Sequence, residues 1–123
     1  LLDRAQGAKS LEDLLVRCIV SATTELRNDE HLAMMLATEP GKTLMQFTID
    51  GLSRIVRVAA SYLAPLVADF LPKREADALV EVLSRLVISY FLTPSDRYDF
   101  TSEASVAKFL NTHINIHELT KQN

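Results

Sequence analysis

At 123 residues the chain is the size of one domain and can bury roughly two thirds of the surface its unfolded form exposes, so it needs no disulfide or metal staple. A hydrophobic share of 48% with only 3 glycines and 4 prolines argues against a turn-rich sandwich or barrel and predicts an all-α fold of five or six helices with short connections. With 13 basic against 16 acidic residues and no basic run, the segment is not expected to grip a phosphate backbone by itself; the single cysteine excludes an internal disulfide, and no apolar run approaches the ~20 residues that span a bilayer.

Ser10, followed by Glu12 and Asp13, has the form of a helix start: a hydroxyl to cap free amides and carboxylates to favour the dipole. Leu11, Leu14, Leu15, Cys18, Ile19, Ala22 and Leu26 then recur at helical spacing, predicting a helix as far as Arg27 with one apolar face. Asn28 and Asp29 can close it and cap a short second helix through Leu32, Met34, Met35 and Leu36 to about Thr38. Glu39-Pro40-Gly41 is the clearest break in the first half.

From Lys42 to Phe70 runs the longest helical pattern, carrying two adjoining apolar stripes. Met45, Ile49, Leu52, Val56, Ala59, Leu63, Val67 and Phe70 form one; Leu44, Phe47, Ile55, Val58 and Tyr62 form the other. This predicts a central helix touching neighbours on two sides, with a kink at Pro65 and room for a true break at Gly51.

Arg74 to Pro94 begins as a one-sided helix, with Asp77, Glu81, Ser84 and Arg85 opposite an apolar face, and ends apolar nearly all round through Ile88, Phe91 and Leu92. Such an end must be covered, either by the domain's own core or by a second molecule. Thr93-Pro94 stops it. A polar loop, SDRYDFTS, leads to a last helix capped by Thr101 or Ser102, with Val106, Phe109, Leu110, His113 and Ile114 on its apolar face and a frayed tail after Ile116.

No catalytic set assembles along the chain: there is no glycine-rich phosphate loop, no GxSxG and no CxxC, and Cys18 reads as a small core residue, so no enzyme and no cofactor are expected. His113 and His117 stand i, i+4 beside Glu118, but two imidazoles do not make a metal site without a third ligand, and His31 reads as a surface group. A more suggestive set is adaptable and apolar: Cys18, Ala22, Met34, Met35, Phe47, Ile55, Val58 and Tyr62. These suit a pocket for a lipophilic ligand, and they equally suit a filled helical core.

The run ALVEVLSRLVISYFLTP, its polar loop and the YDFT leading into a capped helix resemble the C-terminal region of TetR-like (tetracycline-repressor family) transcriptional regulators of actinobacterial type; ASYLAPLVADFLP resembles the ligand-flanking helix before it. The resemblance implies one effector-binding and dimerisation domain over residues 1–123, belonging to a cytoplasmic homodimeric repressor. An N-terminal helix-turn-helix, absent from this chain, would contact DNA, and the opening LLDRAQGAKS is expected to continue from such a domain. The resemblance favours the pocket reading, with a lipophilic small molecule as effector. It also implies a dimer interface through Leu79, Val82, Leu83, Leu86, Tyr90 and Phe91, met by Phe109, Leu110 and His113. Arg54 and Arg57 are candidates to meet an acidic head group, the competing reading being two solvated arginines on a helix flank. The competing expectation is a helical adaptor that binds another protein through the apolar end of helix 74–92.

Overall fold

The computed structural model describes residues 7–116 and Glu118. Among these residues it is all helical: α1 (Leu11–Asn28), α2 (Glu30–Thr38), α3 (Pro40–Phe47), α4 (Leu52–Val67), α5 (Lys73–Leu92) and α6 (Glu103–Phe109), the last running on into a single wider π turn, Leu110–Ile114, that ends on the left-handed Asn115. No helix among them is long and apolar enough to cross a membrane.

The helix starts follow the side-chain chemistry closely. Ser10 Oγ accepts from the Asp13 amide, Asp29 from the Leu32 amide and Ser102 Oγ from the Ser105 amide, each satisfying a donor the helix leaves free. Ion pairs such as Arg17–Asp13 and Lys73–Asp77 lie one turn apart on solvated faces, where each contributes only about 0.3–0.5 kcal/mol. Burial therefore holds the fold.

Its centre differs from the expected one. The core is built mainly by Leu11, Leu14, Leu15, Cys18 and Ile19 of α1 and by Ala76, Leu79, Val80, Leu83 and Val87 of α5, closed from the C-terminal side by Tyr98, Phe100, Val106, Phe109 and Leu110. The stretch 42–70 is two helices. Gly51 sits between them with its α-carbon so close to the Gln46 carbonyl that an added Cβ would stand 2.0 Å from the oxygen, a contact that leaves no room for a side chain. Pro65 lies in the last turn of α4, which stops two residues later. Of the two apolar stripes, the one through Val56, Leu63 and Val67 packs inward, whereas Val58 and Tyr62 are more than half exposed.

α4 and α5 run antiparallel across the connection 68–72, and Phe47 at the end of α3 meets Phe91 near the end of α5, ring centroids 6.0 Å apart. Phe100 lies 4.5 Å from Tyr90, while Arg27 is close enough to favour the charged form of Asp99. The C-terminal ends of α1 and α5 therefore share one end of the bundle. At the other end, Asn111 Nδ2 donates to the Glu12 carboxylate. Asp99 organises the loop: the hydroxyl and amide of Thr101 both donate to it and hold its carboxyl below the ordinary range.

The apolar end of α5 is covered mostly by its own chain. Val87 and Ile88 are buried, Tyr90 packs tilted against Phe100 and edge-on to Phe109, and Phe91 lies tilted against Phe47, because the C-terminal loop and α3 fold back over this turn.

Gly51→Ala is expected to destabilise the chain by at least about 2 kcal/mol, because the α3–α4 turn must open to admit the methyl group. Gly41→Ala, inside α3 with open space around it, should leave the melting temperature unchanged or slightly raised. Parallel thermal denaturation of the two variants checks this.

Candidate functional site

An apolar cleft of about 940 Å³ lies between α1 on one side and the α4–α5 pair on the other. α1 contributes Leu15, Cys18, Ile19, Ala22 and Leu26; α4 contributes Ile55, Val58, Ala59, Tyr62, Leu63 and Val67; α5 contributes Val80, Leu83, Ser84, Val87 and Ile88. Phe47 closes one end. α1 and α5 share one buried cluster, while the second stripe of α4, through Ile55, Val58 and Tyr62, lines the space beside it.

Magnitude decides how this space exists. Each Å³ of sealed void costs about 24 cal/mol, so a closed and empty cavity of 940 Å³ would cost on the order of 20 kcal/mol, more than the ~5–15 kcal/mol that stabilises a domain. The space must be wetted or occupied. It opens along the α4 lip, where Val58 is 52% and Tyr62 59% exposed.

The structure brings together Cys18, Ala22, Phe47, Ile55, Val58 and Tyr62 of the apolar set. Met34 and Met35 lie outside the cleft. α2 packs on α3, joined by the Thr43 hydroxyl donating to the Met35 carbonyl at 3.2 Å, and Met34 points to solvent at 56% exposure. The wall that sequence reasoning missed is α5: Val80, Leu83, Ser84, Val87 and Ile88. Ser84, grouped in the sequence with Asp77, Glu81 and Arg85 on the polar flank, instead lines the cleft with Val80 and Val87. Glu25 and Asp29 at the end of α1 were also missed; with Arg54 they form the charged rim. Arg57 is exposed and is not part of the lining.

The residues placed at a dimer interface divide. Leu79, Leu83, Phe109 and Leu110 are buried within the single chain, Leu110 completely, so they are unavailable to a partner. The periodicity that marks them as buried is satisfied by α1 and the C-terminal loop. Leu86, Tyr90 and Phe91 are half-buried, and only Val82, at 47%, and His113 keep open surface. His113 Nε2 is hydrogen-bonded to the Tyr98 hydroxyl at 2.8 Å and lies edge-on to its ring; His117 is outside the described residues, and no cluster of metal ligands occurs among those described. His31 is exposed.

Cys18 borders the cleft at 7% exposure, and burial pushes its thiol up from 9.0 to about 11. The sulfur is a neutral thiol near pH 7, part of the apolar wall and a poor nucleophile. No family model, curated protein or solved structure matches the chain.

The folded chain holds the Cys18 proton up to about pH 11, whereas the unfolded chain releases it near 9.0. Between these values the unfolded state binds fewer protons, so stability falls as pH rises, by at most about 2–3 kcal/mol in all. Urea titrations across this window should show that extra loss in the parent protein and not in Cys18→Ala.

Proposed function

We propose that this chain is the effector-binding and dimerisation domain of a TetR-like transcriptional repressor. The observation that carries the reading is the one-sided apolar cleft between α1 and the α4–α5 pair, on the helices that the resemblance assigns to ligand binding. A domain that tolerates this much unfilled apolar wall, while packing α1 against α5 elsewhere to near-complete burial, has space that a ligand completes. The effector is a lipophilic or amphipathic small molecule. It acts by fitting one spacing of α1 from α4 better than another, and it can bias the protein between DNA-binding and released states only by that difference in affinity. In this reading, DNA contact belongs to a separate helix-turn-helix domain and not to residues 1–123.

Dimerisation uses the outer face of α5. Ala78, Val82 and Ser89 are exposed and Leu86 is half-buried, a strip of small and medium side chains at successive turns that lets two copies of the helix approach closely. The face is narrower than the nine-residue set the resemblance names. A second reading, an adaptor module for another protein, draws on Leu44, Met45 and Ile49 around the α3–α4 turn, Ile49 being 82% exposed. It requires a monomer that associates only with a heterologous partner.

Val82→Glu should convert a dimer to a folded monomer in size-exclusion chromatography with light scattering; Val82 is preferable to Leu86, whose partial packing on the core would mix unfolding with dissociation. A parent protein that is already monomeric at micromolar concentration removes the dimer claim.

A bound lipophile at about 100 times its dissociation constant should raise the melting temperature by roughly 10 °C. Ala22→Trp, which fills the middle of the cleft, should abolish that shift while the protein stays folded. Uniform absence of a shift across a lipophilic library, with no compound released on denaturing mass spectrometry, counts against the site.

A further inference from the structure

We propose that the cleft takes an uncharged ligand with an extended aliphatic chain, of the long-chain alcohol or ester class, its chain toward Leu15, Val67 and Val80 and its oxygen at the opposite rim; this rests on the reading of the cleft as an effector site. The walls set the shape. α1 lines the space from Leu15 to Leu26, α4 from Ile55 to Val67 and α5 from Val80 to Ile88. At roughly 1.5 Å of rise per residue these walls are about 12–18 Å long. Leu15, Val67 and Val80, all buried, close one end, while Glu25, Asp29, Arg54 and Phe47 stand at the other. An extended chain covers this apolar wall from end to end, whereas a compact ligand leaves part of it to water.

The distribution of charge sets the head group. No charged side chain lines the interior: the polar groups away from the rim are the Cys18 thiol and the hydroxyls of Ser84 and Tyr62. The rim holds charges of both signs, and its carboxylates are already engaged. Glu25 has an interaction partner, Asp29 accepts from the Leu32 amide where it caps α2, and Arg27 stands in the last turn of α1 beside them. Helix termini of both signs also meet here, the C-termini of α1, α3 and α5 with the N-termini of α2 and α4. An ammonium or a carboxylate head group therefore gives up hydration without a net counter-charge in return. An alcohol or ester oxygen has the least hydration to lose.

Two series measured by isothermal titration calorimetry on the parent protein test this. Across hexanol, octanol, decanol and dodecanol, affinity is expected to rise roughly three- to fourfold per methylene up to the longest chain. Dodecanol is expected to bind at least tenfold more tightly than dodecanoate or dodecyltrimethylammonium, both held below micelle formation. Leu63→Phe, which narrows the closed half, should cancel the gain from decanol to dodecanol and leave hexanol unchanged. An affinity that stops rising at octanol in the parent, or an equal loss across all four alcohols in the folded variant, overturns the extended pose. Either ion binding as tightly as dodecanol overturns the uncharged assignment. Those outcomes keep the cleft as an effector site; failure of every ligand to bind overturns the site and the reading on which the proposal rests.

Discussion

The contact between the Gln46 carbonyl and the α-carbon of Gly51 is the constraint on which the rest of the arrangement depends. It ends a helical pattern that could have run unbroken through the middle of the chain. Because α3 and α4 are separate rods, Phe47 can fold back onto Phe91 while α4 pairs antiparallel with α5. One residue without a side chain thus decides both what covers the end of α5 and which stripe of α4 is left facing a gap.

The consequence is a division of labour within a small domain. α1 and α5, with the aromatic cluster of Tyr90, Tyr98, Phe100 and Phe109, supply the tightly packed half. α4 supplies the lip: its outer stripe meets solvent, while its inner stripe is buried in the core with α5. Apolar surface that would complete the core in a solid bundle lines the cleft instead, and the charges stay at one rim. Core and cleft share side chains: Leu15, Cys18, Ile19 and Leu83 belong to the buried cluster and to the cleft wall at once.

Much of this was legible in the sequence where local chemistry decides. Ser10, Asp29 and Ser102 mark helix starts because a short side-chain oxygen reaches a free amide two or three residues on, whatever the tertiary fold. The break at Gly51 was open at that level: a glycine weakens a helix by only about 1 kcal/mol, and the approach of Gln46 that settles it depends on where α3 goes. Periodicity marks Leu79, Leu83, Phe109 and Leu110 as covered but is silent about the cover, so a face that meets α1 looks the same as one that meets a second molecule. Six of the eight apolar candidates reach the cleft because they lie on the inward side of α1 or the second stripe of the α3–α4 pattern. The two methionines do not, since composition shows that a side chain is adaptable without showing which way its helix is turned.

The placement of the tyrosines has a practical side. The chain has 3 tyrosines and no tryptophan, and they occupy three environments: Tyr98 buried against Phe109, Tyr90 half-buried on Phe100, and Tyr62 on the open lip. The long-wavelength near-ultraviolet absorption, beyond the phenylalanine band, and the emission it excites therefore come from phenol rings, with two held in the aromatic cluster and one standing at the mouth of the cleft. Quenching by a neutral solute such as acrylamide selects Tyr62 by its exposure, so the parent chain carries its own optical probe at the entrance, with no label to attach.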